Sequence, residues 1–594
     1  MLDLEKVDVV KQRIRLKHQD DVKQLDVIFS AANRILVEAP AGYGKTATMV
    51  SKIAYMIAVG QIPNPKRLLA LTFSVNAAYK IKKDVAQQVP KLLAGLGTTI
   101  DLSDKIFVSN YHGFSRNILK KYGYLIHSNL SSIDTMHSID DTNIQSTQEL
   151  ITGLLLADAE SLARFGDALK ATNTTYINEH FDSYCSLVIA ELLPGKIISY
   201  NGIIALAIKL LRDNPTILAF YHRYFTAMLV DEYQDTNALS FQLVELLINA
   251  NTRIILLGDS LQRIYGFICA VPNLLSISEA RFSLVKITLD KNYRFASNEQ
   301  MLRLDANIRR NAERPRNPAI TTPAEVDFTL YDNQGDESAG VVDKTLALTN
   351  GEQAGKVAIL IKSRGGNINA VIAEFGRRNI EFFYGLFTDE DAGYLAFHRK
   401  CLFEFIQLLR VKNHITKKMA SDHLAKIKDE ISETPGPVND ALVGLLDIFW
   451  KKIFSDYSFL NHDEKVLLIM DTFEHNGLKQ YVEFVTSNII ISTVHGAKGL
   501  EWDHVIIPDM EQDSFPGFNS LCGNCSYRRG CQLQITDQNE TKFLEDLSVF
   551  YVAVTRARKQ VYFTASKMNL ALKGRENRKN VSCLLSLPGI QIDE

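Results

Sequence analysis

Short apolar runs that stop abruptly at polar residues recur along this chain, and their length is that of buried parallel strands. Residues 34–38, 68–74, 106–114, 227–230 and 253–259 read this way, and 287–289 and 357–360 repeat the pattern further on. Between them the periodicity turns helical. Residues 17–30 predict a helix ahead of the first strand. A mostly helical region fills 119–224, with polar loops near 128–147 and 172–175, and Pro215 restarts a helix there. A second helical stretch, 388–481, is broken by Pro435-Gly436-Pro437. Strands alternating with helices predict an α/β chain whose sheets are open and parallel.

In such sheets chemistry gathers at the carboxyl ends of the strands, so the polar residues that close each run matter most. The run 34–38 is followed by Ala39-Pro40-Ala41-Gly42-Tyr43-Gly44-Lys45-Thr46 and a helix. Strand, glycine loop, Lys-Thr and helix form a phosphate cradle. Backbone N–H groups wrap the anion, Lys45 reaches the β/γ oxygens and the Thr46 hydroxyl binds Mg²⁺. Ala39 stands where the general pattern has its first glycine. The run 227–230 ends in Asp231-Glu232-Tyr233-Gln234-Asp235-Thr236. A solvated acidic turn would look similar at its first two residues. With so many polar groups of different geometry, and a cradle elsewhere, Asp231 reads as a metal holder through water. Glu232, pointing elsewhere, reads as the base for an attacking water.

Composition narrows the class without choosing it. The chain has 594 residues, room for roughly four domains, with 46% hydrophobic and 23% charged residues. The charged N-terminal stretch is not a signal peptide, and no run is long enough to span a membrane. A net charge of −2 gives no global basic footprint, so nucleic acid would have to be held in local grooves. Seven cysteines, odd and sparse, suit a reducing cytoplasm.

Later stretches complete an ordered set. Gly258-Asp259 is followed by Gln262, Tyr265 and Phe267, then Asn292-Tyr293-Arg294. Ser492-Thr493-Val494-His495-Gly496-Ala497-Lys498-Gly499-Leu500-Glu501-Trp502 and Tyr551-Val552-Ala553-Val554-Thr555-Arg556-Ala557 come last. From Gln24 to about Thr564 the set resembles superfamily 1A DNA helicases of the UvrD/Rep/PcrA type, in a compact form. The resemblance implies two RecA-like parallel-sheet motor domains, each with a mainly helical insertion. The first would span 1–97 and 214–287 with an insertion at 98–213. The second would span 288–387 and 482–594, with a reduced insertion at 388–481.

It also implies roles. Gln24 would read the adenine and Tyr293 stack on it; Ala41, Gly42, Gly44, Lys45 and Thr46 would take the ATP phosphates and, with Asp231, Mg²⁺. Glu232 would activate water, Gln262 sense the γ-phosphate, Glu501 contact the ribose, and Arg294 and Arg556 act as arginine fingers in cis. Hydrolysis would drive domain closure and 3′→5′ movement along single-stranded DNA, with unwinding at single-strand/duplex junctions. Phe73, Tyr265 and Phe267 would stack on bases, and Thr72, His112, Thr493 and His495 would lie along the backbone. Lys362, Ile268, Cys269, Leu547 and Ser548 depart from residues usual in the family, at positions that trim DNA contacts and coupling. Those departures and the short insertion leave a rival: an ATPase subunit that senses DNA or nucleotide and regulates a partner nuclease, as in Gabija-like phage defence. A repair factor is the other partner class, and no membrane partner is expected. Cys522, Cys525 and Cys531 could ligate zinc as thiolates, but a structural site wants four ligands and Cys583 is distant. The alternative is a basic hairpin with free thiols.

Overall fold

Every second side chain of a strand points to the opposite face of its sheet, and this explains how the apolar runs are spent. The chain divides into two compact units, Met1–Lys291 and Asn292–Glu594. The computed structural model describes residues 3–592 apart from 97–100, 265–269, 272, 351–353, 389–390, 413, 432–435, 521–532 and 571–575. The first unit holds β1 (Arg34–Glu38), β2 (Arg67–Thr72), β3 (Ile106–Asn110), β4 (His137–Ile139), β5 (Ile197–Ser199), β6 (Phe225–Val230), β7 (Arg253–Gly258) and β8 (Val285–Thr288). Six of them form a sheet in the order β3-β2-β6-β7-β1-β8, parallel at every pairing. Leu36, Leu69, Leu71, Met228, Val230, Ile254 and Leu256 enter one core. Ile35, Val37, Leu68, Ala70, Ala227, Leu229, Ile255 and Leu257 enter the other. Both faces are covered, so the strands read as unbroken apolar runs.

The first core continues into the helices between β3 and β6, where Phe114, Leu162, Phe165, Phe181, Ile204 and Leu211 belong to it. That continuity moves one expected boundary. β3 lies beyond residue 98 yet is hydrogen-bonded to β2 in the main sheet, with Thr72 opposite Asn110, so the insertion begins after it. The expected strand 106–114 is shorter for a local reason. The Asn110 side chain accepts from the Gly113 amide at 2.7 Å and caps a helix, Tyr111–Tyr122.

The single helix expected over 17–30 is also divided. α1 (Leu4–Lys17) is capped at His18, and Gln19 and Asp20 adopt left-handed φ values of 49° and 55°. Asp21 then caps α2 (Val22–Phe29) by accepting from the Gln24 amide at 2.9 Å. Short acidic side chains favour caps and tight turns over helix interiors, and here that preference overrides the periodicity.

The second unit repeats the plan. It holds β9 (Ala324–Tyr331), β10 (Val357–Ile361), β11 (Phe383–Gly385), β12 (Ile489–Thr493), β13 (Trp502–Ile507), β14 (Ala557–Ser566), β15 (Met568–Leu570), β16 (Glu576–Arg578) and β17 (Ile590–Ile592). Seven form a sheet in the order β11-β12-β10-β13-β14-β9-β17, again all parallel. Helices Ala392–Lys412, Lys417–Ile431, Pro437–Ser455 and His462–Glu474 lie between β11 and β12, packed around Phe405, Phe449, Trp450 and Phe473. Among the described residues no helix is long and apolar enough to cross a membrane.

Candidate nucleotide site and nucleic-acid contacts

The glycine loop follows β1 and delivers α3 (Lys45–Ala58). Gly42 and Gly44 have φ of +83° and +80°, a region where a Cβ costs roughly 1–2 kcal/mol. Ala39 needs no such freedom. Its amide donates to the Gly258 carbonyl at 2.9 Å, continuing the β1–β7 ladder, and extended backbone accepts any residue.

Lys45 Nζ lies 3.5 Å from Asp231 Oδ1 and is ion-paired with Glu232 Oε1. Adjacent residues on a strand point apart, which is why Glu232 was expected to face elsewhere. The strand has ended, however. Glu232 takes a left-handed φ of +51°, which bends the chain and returns its carboxylate to the same lysine. The Gln234 amide donates to Glu232 Oε2 at 2.6 Å and accepts from the Asp259 backbone N–H at 3.1 Å. Gln262 Nε2 donates to Asp259 Oδ2 at 2.8 Å. The ends of β6 and β7 are thereby tied into one polar network.

Burial by itself would lower the Lys45 pKa, but Asp231, Glu232 and Asp259 outweigh it and hold the ammonium above its ordinary range. Asp231 is pushed upward by burial and by Glu232, against the pull of Lys45. Its Oδ1 is buried and accepts no hydrogen bond. A buried carboxylate oxygen that has the glycine-loop lysine at ion-pair distance but accepts no hydrogen bond is what a divalent cation or its water would satisfy. Thr46, second residue of α3, opens the same helix. The donor set fits a polyphosphate with Mg²⁺: Lys45 and loop amides for the anion, Thr46 and Asp231 for the metal.

Gln24 reaches this loop from α2. Its Nε2 donates to the Tyr43 carbonyl at 3.1 Å, and its Oε1 meets His18 Nδ1. The sequence assigns no role to His18, Gln234 or Asp259. Gln234 carries a signal in the density of polar groups after β6; His18 carries none, because periodicity predicts one helix through the turn that brings it inward.

In the second unit the structure gathers Arg294, Glu501 and Arg556. Arg294 donates to the Thr555 carbonyl and pairs with Glu501. Arg556 donates to the carbonyls of Val552 at 3.1 Å and Leu500 at 3.2 Å. Burial would raise the Glu501 pKa, yet Arg294, Arg556 and Arg558 more than offset it and hold the carboxyl low. Tyr293, next to Arg294, is half-buried.

The expected nucleic-acid residues divide. Phe73 and His112 are half-buried in the first unit, and His112 meets the Tyr200 ring edge-on at 6.4 Å. His495 is half-buried in the second. Thr72 is instead fully buried, its hydroxyl without a partner, because it is the last ladder residue of an interior strand. Thr493 is buried too, and its hydroxyl accepts from the Gly496 amide at 3.0 Å to fix the turn after β12. Neither threonine offers a surface contact. Tyr265, Phe267, Cys522, Cys525 and Cys531 lie outside the described residues. Of the positions that depart from the family pattern, Lys362 pairs with Asp546, Leu547 is fully buried, and the Ser548 hydroxyl is spent on the Leu544 carbonyl at 2.9 Å.

Known proteins match this chain over most of its length. The family model for the UvrD/REP helicase N-terminal domain matches residues 21–283, and that for the UvrD-like helicase C-terminal domain matches 452–568. The ATP-dependent DNA helicase PcrA of Bacillus subtilis (strain 168) is 25% identical over 650 residues, 93% of this chain and 83% of that protein. A probable DNA helicase II homolog of Rickettsia felis is 23% identical over 638 residues, 92% of each. The ATP-dependent DNA helicase PcrA of Leuconostoc citreum is 28% identical over 289 residues, 46% of this chain and 37% of that protein.

Proposed function

The chain belongs to the UvrD-like family of ATP-dependent DNA helicases, and on that premise we propose that it is an ATP-driven translocase on single-stranded DNA that unwinds duplexes with 3′→5′ polarity. The observation that carries the enzymatic half of this reading is Lys45, held against both Asp231 and Glu232 at the start of the helix that follows the glycine loop. Phosphoryl transfer asks the protein mainly for positioning and charge neutralisation. Loop amides and the Lys45 ammonium bind the phosphates of ATP. Thr46 and Asp231 hold Mg²⁺, which when bound neutralises charge on the phosphate oxygens. The phosphates compete with Glu232 for the lysine. Glu232, so released, keeps Gln234 as its orienting partner and accepts the proton of an attacking water. Gln262, bound to Asp259, senses the γ-phosphate, and Arg294 and Arg556 supply counter-charge. Gln24 and Tyr293 take the base and Glu501 the ribose. Phe73, His112 and His495 contact the strand.

The buried Leu547 and the spent Ser548 hydroxyl favour a second reading, in which DNA stimulates the ATPase without much unwinding and the output is control of a partner nuclease. Steady-state ATP hydrolysis with and without single-stranded DNA, beside unwinding of duplexes bearing a 3′ or a 5′ tail, separates the two. Strong stimulation with opening of the 3′-tailed duplex is expected. Opening only the 5′-tailed duplex would refute the polarity, and stimulation with no unwinding would establish the second reading. ATP turnover indifferent to DNA would sink both.

A further inference from the structure

The turn that ends α1 has a consequence for base recognition. Gln19 and Asp20, both left-handed, reverse the chain and carry His18 into the interior, where it is 4% exposed. Each of its ring nitrogens has one partner: Nδ1 meets Gln24 Oε1, and Nε2 lies 2.8 Å from Ser51 Oγ on α3. Lys17 Nζ donates to Ser51 Oγ at 3.2 Å and to Gln88 Oε1 at 2.8 Å. At the other end Gln24 Nε2 donates to the Tyr43 carbonyl at 3.1 Å, and a Cβ on Gly44 would collide with that same nitrogen.

The polarity of this chain of groups is fixed step by step. A glutamine amide has two ends of nearly equal shape, and only its partners decide which way it faces. The Tyr43 carbonyl can only accept, so the NH₂ end faces the glycine loop and the oxygen faces His18. His18 Nδ1 must then carry the proton. Its Nε2 is left as an acceptor and takes the Ser51 hydroxyl proton, and Ser51 oxygen in turn accepts from Lys17. Counting the amide's positions, His18 uses one lone pair of Oε1 and Tyr43 uses one N–H. One acceptor and one donor remain. That pair complements the amino group and N7 of adenine, whereas guanine presents two acceptors on the same edge.

We propose that His18 is a positioning residue that locks the Gln24 amide in its adenine-reading orientation and so sets the preference of the site for ATP over GTP. The inference rests on the reading of Gln24 as the base-recognising residue. His18 need not touch the nucleotide. Without it, the amide can turn over at the cost of one hydrogen bond, and discrimination falls.

The test uses the full chain and measures KM for ATP and the inhibition constant of GTP against ATP hydrolysis. His18→Phe keeps an aromatic ring and removes both hydrogen bonds. It is expected to raise the KM for ATP and shrink the ratio of the GTP constant to the ATP KM by about tenfold, the size of one oriented hydrogen bond, with kcat little changed. His18→Asn keeps a donor near Nδ1 and should restore most of the ratio; His18→Gln, which reaches only toward Nε2, should not. Should the Phe variant not fold, the Asn and Gln variants decide, and equal ratios in the two would overturn the proposal. A wild-type ratio in a folded His18→Phe would overturn it as well. Gln24→Ala separates the underlying reading. If it abolishes the preference while His18→Phe does not, only the role of His18 fails. If Gln24→Ala leaves the preference intact, base recognition by Gln24 fails and this proposal with it.

Discussion

In the first unit β1 runs into a loop with two left-handed glycines and a lysine at the first turn of α3. In the second, the interior strand β10 runs into Lys362-Ser363-Arg364-Gly365 and the helix Gly366–Arg377. Both are interior strands of all-parallel sheets, and both loops carry cations. The cations are used differently. Lys362 is paired with Asp546, and Arg364 makes two hydrogen bonds to Asp391 at 2.8 and 2.7 Å. Gly365 is extended, with φ of −152°, so no left-handed pair of residues turns successive amides toward an anion. The same architecture thus yields a phosphate cradle in one unit and a braced loop in the other. A parallel sheet offers the place, and the residues after the strand decide whether anything binds there.

The strongest way to break this comparison is to remove the two lysines in turn. Lys45→Ala should lower ATP turnover by about 10³-fold or more, since it deletes the charge facing the phosphates, and should weaken ATP binding. Glu232→Gln should lower turnover comparably while still binding ATP. Lys362→Ala should leave DNA-independent ATP turnover within about threefold of the parent, as expected for a group outside the cradle. Steady-state hydrolysis and equilibrium nucleotide binding read all three. Were Lys362→Ala as damaging as Lys45→Ala, the distinction between the loops would be lost.

A smaller effect sharpens the role of the arginine group. Arg294→Ala should cut kcat by about 10³-fold, the lower end of the range for an arginine finger, with ATP affinity changed little. In the second unit Arg294 also braces Glu501 and the Thr555 carbonyl. If bracing were its whole task, the variant would melt earlier and keep its kcat.

How much of this was legible beforehand follows from what each signal depends on. The strands and the glycine loop are readable because parallel burial makes continuous apolar runs and because glycine adopts the loop's φ values without the cost a Cβ would carry. Lys45, Asp231 and Glu232 were likewise marked by local pattern. Their mutual arrangement was not, since the left-handed turn at Glu232 has no signature in a non-glycine residue. Thr72 and Thr493 matched by order, yet their burial is set by neighbouring strands far away in sequence. His18 was hidden because two acidic or amide residues in αL positions look, by periodicity alone, like one helix.

Carboxylates supply the last contrast. In the first unit Asp231 and Glu232 share Lys45, while in the second Glu337, Asp509 and Glu511 lie within 4.8 Å of one another. Burial, then repulsion from Asp509 and Glu511, pushes Glu337 up to about 8; burial and Glu511 push Asp509 up to about 7. The Thr564 hydroxyl and the Asp509 amide both donate to Glu337 Oε1, at 2.6 and 3.2 Å, which leaves Oε2 to carry the proton. Folded pKa values raised above the ordinary carboxylate range mean that the folded state holds protons the unfolded chain has released. The contribution is therefore complete at about pH 4 and is lost as pH rises through 7 and 8. Glu337→Gln makes the donor permanent and removes one charge from the repulsion. Its thermal midpoint should match the parent near pH 4.5 and exceed it progressively as pH rises to 8.5, by several degrees, on the order of a few kcal/mol. Midpoints of the two proteins that fall in parallel between those pH values would show that the cluster carries no extra proton, and the contrast between lysine-paired and proton-sharing carboxylates would go with it.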